Sequence, residues 1–195
     1  MVGFWLTLVD GVLGIPLGLL CQNAGEWLLH KHLLHGRGCA RNSFWSFHFR
    51  DHHRDSRDND MRDEHYARGP FVWSSPAKEL LALAGVSLVV PLFWVSPCFA
   101  TTVIARTINY YRVHKRSHLD VAWARKRLAW HYDHHMGKDQ SANWCVTHPF
   151  FDYLMGTRKT YTYVEGKPVS QHCIVVPRRL SARVRALWRI AISPV

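Results

Sequence analysis

A chain of 195 residues has the length of one domain or of one compact membrane unit. Its net charge of +11 would suit nucleic acid if it were spread over a soluble surface, but all 25 lysines and arginines follow position 30 and only Arg106 falls within residues 80–111. With no RNA-type aromatic motif and no zinc-finger spacing, no nucleic-acid partner is expected, and a basic surface beside long apolar segments reads as the cytoplasmic side of a membrane protein.

Residues 2–29 are apolar apart from Asp10, Gln22, Asn23 and Glu26, long enough for one membrane span. Gly11, Gly14, Pro16 and Gly18 loosen that helix and leave a kinked or re-entrant segment open. The segment lacks a basic n-region and carries Asp10, which argues against a cleaved signal peptide. Residues 36–75 are polar and basic. From Pro76 to Arg116 the chain is apolar again, enough for two tightly connected spans turning at VSPC, with Ser96 as N-cap, Pro97 at the first helical position and Pro91 kinking the first arm. The soluble alternative is a buried helical hairpin in a globular core. With residues 36–75 inside, the N-terminus lies outside and everything after the hairpin lies inside. KTYTYV (Lys159–Val164) alternates like a short strand or extended segment, and residues 180–192 form an amphipathic helix, either interfacial or capping the bundle. The five cysteines (Cys21, Cys39, Cys98, Cys145, Cys173) are odd in number and form no CxxC pair, so buried free thiols are expected rather than disulfides, thiolate zinc sites or iron–sulfur clusters.

Chemistry enters through the histidines. Ten of the fourteen fall into four clusters at the ends of apolar segments: His30 and His35; His48, His52 and His53; His114 and His118; His131, His134 and His135. A tag or a metal-sponge tract would be contiguous, whereas these are spread from position 30 to position 135. Imidazole is the commonest transition-metal ligand, and one metal rarely takes more than six ligands, so ten candidates point to two metals. On the topology above, all four clusters share the cytoplasmic side.

Helical spacing supports most of the clusters. His114 and His118 are one turn apart, and His131, His134 and His135 share a face. His48 and His52 are one turn apart, with His53 about 100° further round. The first cluster is irregular: His30 and His35 are about 140° apart on an ideal α-helix, whereas His32 and His35 share a face. On geometry alone His32 rivals His30.

The pattern HxxxxH, H-x(2–3)-HH, HxxxH and HxxHH, followed by NWCVTHPFFDYLMGTR (Asn143–Arg158), resembles the fatty acid hydroxylase/sterol desaturase superfamily of integral membrane di-iron enzymes. The resemblance runs over roughly residues 26–158 and includes that family's N-x-x-V-T-x-P-x-x-D-x-x-x-G-T tail. It implies an all-α integral membrane helical bundle with a cytoplasmic histidine-rich di-metal domain, a single unit over 1–195. In it, residues 2–29 and 76–116 sit in the membrane, and 36–75 with 117–195 form the cytoplasmic catalytic cap. It implies as ligands His30, His35, His48, His52, His53, His114, His118, His131, His134 and His135, with His32 at a position normally not a ligand. Two departures stand out. The second box reads HxxxHH where the hydroxylases more usually have HxxHH, and one apparent span precedes the first box where larger members have two.

The implied chemistry is O2-dependent hydroxylation of a lipid by two iron ions; lipid desaturation and an aldehyde-type lyase reaction are alternatives on the same centre. Oxidising an unactivated C–H bond needs a redox metal, because side chains cannot supply it. Zinc could occupy the same nitrogens without performing that step, and no HExxH motif supports a zinc protease. A rival from another class is a non-redox metal-binding or transport membrane protein. The chain has no haem-binding extension, flavin fingerprint or cysteine cluster, so electrons are expected from a separate reductase or small carrier docking on the basic face. Candidate carboxylates for orienting the ligands are Glu26, Asp51, Asp133 and Asp152. Asp55, Asp58, Asp60, Asp63 and Glu64 read as a solvated loop, and His65, His148 and His172 as non-ligands. Trp45, Phe47, Trp123, Trp130 and Trp144 read as acyl-channel lining or interfacial anchors.

Overall fold

The computed structural model describes residues 2–68, 72–164 and 167–173; the amphipathic segment 180–192 lies outside them. The chain begins with α1 (Val2–Leu29), which runs unbroken through Pro16 and continues into a π-helical segment, His30–Arg37. A second π-helical segment, Phe47–His52, leads into α2 (His53–Asp58), and a 3-10 turn covers Glu64–Tyr66. Then come α3 (Ser75–Leu83), a 3-10 helix over Ala84–Trp94, and α4 (Pro97–Leu119). The chain closes with α5 (Val121–Arg127), α6 (Ala129–Met136), α7 (Phe150–Met155) and the antiparallel strands β1 (Lys159–Val164) and β2 (Lys167–Cys173). The fold is therefore mostly helical rather than all-α: the alternating KTYTYV segment is a strand, paired in a hairpin with a bulge after Thr162.

α1 is seated on α4 by Gly14 and Gly18. A Cβ at Gly18 would lie 2.8 Å from Thr102 Cβ and 3.1 Å from the Phe99 carbonyl, and one at Gly14 would lie 2.9 Å from Ser96 Oγ. These glycines were expected to loosen the helix; in the structure they form a small-xxx-small seam that lets two backbones approach. Asp10 fastens the same contact. It accepts the Ser96 hydroxyl and, at 2.9 Å, the Cys98 N–H, placing a carboxylate at the N-terminus of α4 where the helix dipole favours it. Ser96 is the N-cap, as its place before Pro97 predicts, accepting the Phe99 N–H.

Among the described residues two helices are long and apolar enough to cross a membrane, Thr7–Arg37 and Ser75–Trp94. α4, the expected third span, is not among them although it is 23 residues long. Beyond Arg106 it carries Asn109, Tyr110, Tyr111, Arg112 and the third histidine box, which lower its hydropathy. α3 and the 3-10 helix together reach about 35 Å by their standard rises, enough for a hydrocarbon core of about 30 Å. No residue of Ala84–Trp94 is buried, and Leu88 and Trp94 are 83% and 92% exposed, so this arm of the expected hairpin is not covered by the described residues. Cys21, Cys39, Cys98 and Cys145 are free, but of these four only Cys145 is buried; Cys21 and Cys39 are exposed.

Gly18→Leu should lower the unfolding temperature in detergent, at a cost of roughly 1–3 kcal/mol from overpacking. Gly11→Leu, whose Cβ meets nothing within 4 Å, should not. Equal shifts in circular-dichroism melts would show that α1 does not rest on α4 through this seam.

Candidate metal centre

The first histidine box is positioned by the widening of α1. In a π-helix the i→i+5 hydrogen bond makes residues five apart neighbours on one face. The Gly38 N–H accordingly donates to the Leu33 carbonyl at 3.0 Å, and the His30 and His35 rings stand 5.1 Å apart. The expectation that a local change of helix pitch brings these two together is met by widening rather than by an end at Gly36, since the π segment runs on to Arg37. His32, on another face, is exposed and lies edge-on to Trp27 at 6.1 Å.

The second box uses the same device. His48 and His53 are five apart around the π segment Phe47–His52, with rings 4.9 Å apart, so the extra residue of HxxxHH is absorbed by the wider turn. The two π segments then meet nitrogen to nitrogen: His30 Nε2 to His48 Nε2 at 2.9 Å, and His35 Nε2 to His53 Nε2 at 3.1 Å.

Nine of the ten candidate histidines gather into two sets. The first holds His30, His35, His48, His53 and His134, and the second His52, His114, His118 and His135; within each, one nitrogen per ring lies within 4.8 Å of the others. The doublets straddle the seam between the sets. Consecutive helical residues point about 100° apart, so His53 and His134 face the first set while His52 and His135 face the second. The tenth, His131, is fully buried against the second set, its Nε2 3.3 Å from His118 Nε2, but stands outside both groupings.

Tautomers decide what these clusters can hold. Nδ1–H of His30 donates to the Trp144 carbonyl at 2.6 Å, that of His134 to Ala142 at 2.7 Å, and that of His118 to Met61 at 2.8 Å. Those of His52 and His114 donate to Asp63 at 2.8 Å and Glu79 at 2.6 Å. A neutral ring donating through Nδ1 carries its lone pair on Nε2. Burial holds His48, His53, His131 and His135 well below the ordinary histidine value and His134 down to about 4, so these rings stay neutral at pH 7. Lone pairs therefore face one another, as between His114 and His118 Nε2 at 3.3 Å. Among the described residues His52 Nε2 and both nitrogens of His135 have no hydrogen-bond partner. Buried acceptors without donors are costly, and each set could hold a metal ion that would satisfy them.

The groups that orient the rings differ from those expected. Among the described residues no hydrogen bond joins His30 to Glu26. It accepts the Val146 and Thr147 N–H groups at 2.9 Å each, the Thr147 hydroxyl at 2.5 Å and the Gln22 amide at 2.8 Å. Asp133 binds Arg158 and Tyr163, each at 3.0 Å, and among the described residues no hydrogen bond joins Asp51 to a ring. Asp152 accepts the Trp144 and Cys145 N–H groups at 2.8 and 2.9 Å and the Thr157 hydroxyl at 2.7 Å. Glu26 and Asp152 thus pin from two sides the loop that presents the Ala142 and Trp144 carbonyls. Asn143, at φ 57°, takes the left-handed conformation that loop needs. The tail motif acts through that backbone.

Two orienting carboxylates were missed. Asp63, expected in solvent, is 1% exposed and bound to His52. Glu79 on α3 binds His114 and accepts the Tyr66 hydroxyl at 2.6 Å. A lone carboxylate in the apolar run following Pro76 is costly without a partner, and that signal could have found Glu79; nothing in the charged run around Asp63 singles it out.

An apolar cavity of about 420 Å³ runs between α1, α3, the 3-10 helix and α4, lined by residues that include Leu29, Leu33, Leu83, Val86 and Val103. It ends against His30 and His48 of the first set; no ring of the second set lines it. Trp45 and Phe47 line it as expected, whereas Trp123, Trp130 and Trp144 do not.

His30→Ala should lower the metal content of the purified protein, and His32→Ala should leave it unchanged, because only the former removes a convergent donor. Elemental analysis of the purified variants checks this; the opposite order would refute the π-helical pairing of His30 with His35.

Comparison with curated proteins and with solved structures gave no match. A match to the fatty acid hydroxylase family spans residues 15–157. It extends from the middle of α1 through all four histidine boxes to Thr157, and covers more than half of the chain. The chain belongs to the fatty acid hydroxylase family.

Proposed function

We propose that this protein is a membrane-bound non-haem di-iron oxidoreductase that uses O2 to hydroxylate a lipid chain. The observation that carries this reading is the pair of adjoining sets of neutral, lone-pair-bearing imidazoles, one of which closes the end of an apolar cavity. All ten histidines are assigned as ligands, with His131 completing the second set beside His118. Two irons, when bound, supply the redox capacity for O2 chemistry that side chains lack.

The chain's own groups have separable tasks. The aliphatic side chains of the cavity bind the substrate tail and exclude water, and His30 and His48 form the floor against which a substrate carbon rests. Trp144 and Ala142 carbonyls, Asp63 and Glu79 hold the rings in one tautomer, so the nitrogen donors are preorganised. Thr7–Arg37 and Ser75–Trp94 anchor the chain in the bilayer, the first half of α4 returns it from Ser96, and the basic loops keep both histidine sets on the cytoplasmic side. Electrons come from a separate reductase or carrier docking on that basic surface.

A transport role has less support. Asp10, Glu26, Glu79 and Arg106, charged groups within the apolar segments, are each engaged: Asp10 by Ser96 and Cys98, Glu26 by the 146–147 backbone, Glu79 by His114 and Tyr66, and Arg106 by Thr147 at 3.1 Å. None is free to form a polar path.

Iron-loaded protein in lipid nanodiscs, supplied with an electron donor, should consume O2 in step with formation of a hydroxylated lipid detected by mass spectrometry. Lipid profiling of cells with and without the protein would name the substrate. Metal binding without O2 uptake, with any donor tried, would overturn the reading in favour of a non-redox site. Val86→Trp, which fills the cavity, should shift the product spectrum toward shorter chains by at least about tenfold in relative rate, as a lost pocket contact of 1–3 kcal/mol implies. A reporter inserted at Ser96 should read external; a cytoplasmic signal there would remove the membrane crossing of Ser75–Trp94.

A further inference from the structure

The two histidine sets differ in what stands behind them. In the second, His52 and His114 are backed by Asp63 and Glu79. Both carboxylates are buried, at 1% and 8% exposure, and among the described residues neither has a Lys or Arg partner. Their remaining oxygens accept neutral donors, the His65 N–H at 2.9 Å and the Tyr66 hydroxyl at 2.6 Å. Two buried negative charges without a cation are expensive. Divalent metal among His52, His114, His118 and His135 cancels them.

Nothing comparable backs the first set. Its rings lean on the Trp144 and Ala142 carbonyls and, at His53, on the Gln140 amide 3.0 Å from Nδ1. Asp139 is paired with Lys159, and Glu26 is spent on backbone N–H groups. A divalent ion there keeps its full charge in a buried site, and of the two sets only this one has rings lining the cavity, which the second set meets through Glu79 behind His114.

We infer that the centre is functionally asymmetric: Asp63 and Glu79 make the second set the tight, first-filled metal site, and the first set is the weaker, exchangeable site that faces the substrate cavity. The inference rests on the reading that both sets hold metal. Asp63 and Glu79 are positioning residues, acting through His52 and His114 by fixing the tautomer and raising the basicity of the ring.

The test is a titration of metal-stripped full-length protein in detergent with Co2+, against a competing chromophoric chelator, followed by the cobalt absorption bands. Wild-type protein should bind in two separable steps. His134→Ala should erase the weaker step and keep the tighter, and His135→Ala should do the reverse. Asp63→Asn should weaken the tight step by roughly 10–100-fold and leave the weak one unmoved, as loss of a ring's carboxylate partner does elsewhere; Asp63→Glu should recover part of that loss. Glu79→Gln carries the same expectation should the Asp63 variants fail to fold by circular dichroism. Two equal affinities, a tight step lost in His134→Ala, or an Asp63→Asn effect on the weak step would each overturn the asymmetry while leaving two metal sites in place. Failure of the wild-type chain to bind Co2+ would overturn this inference and the di-metal reading together.

Discussion

Convergent lone pairs in a dry interior are the constraint around which this structure is built. Rings whose Nδ1 protons are already committed to Trp144, Ala142, Met61, Asp63 and Glu79 can only aim acceptors at one another. Such an arrangement is unfavourable in apo form and strongly favourable around a cation. Much of the tertiary structure can be read as scaffolding that withholds every other partner from those nitrogens.

Local helix geometry solves part of that problem. An α-helix places residues three or four apart on one face, which suits His114 with His118 and His131 with His135, while His134 turns to the other set. Where the boxes need five-residue spacing, the chain changes helix type: π segments over His30–Arg37 and Phe47–His52 align His30 with His35 and His48 with His53. Two such widened turns, facing each other, supply four of the five rings of the first set. The HH doublets, set on helices between the two sets, join one to the other without any bridging side chain.

The tail motif contributes structure of another kind. Among the described residues none of its side chains hydrogen-bonds a candidate histidine ring, although the Trp144 ring packs 4.9 Å from that of His35. Asp152, Thr157 and Asn143 instead fold residues 142–147 into a loop, Glu26 of α1 clamps its far end, and the product is a pair of outward carbonyls at the right height for His134 and His30. The apolar half is simpler. Gly14 and Gly18 bring α1 against α4, the exposed aliphatic surface faces outward, and a cavity between the helices leads to the first set.

The sequence by itself determined the inventory of candidate histidines, the apolar segments, the Ser96 cap and the strand at Lys159–Val164, because each depends on residue type and short-range spacing. It also supplied the choice of His30 over His32, through the family pattern, though an ideal α-helix argues the other way. Only the tertiary structure decided how the histidines divide between the two sets, that His131 stands apart from both groupings, and that Asp63 and Glu79 rather than Glu26, Asp51, Asp133 or Asp152 hold the rings. Those facts depend on contacts between residues far apart in the chain, such as Glu79 with His114 and Ala142 with a ring on α6. They also depend on backbone carbonyls, which every residue carries alike, and on a helix type set by packing rather than by propensity. No periodicity or composition encodes these, so they become visible only once the chain is folded.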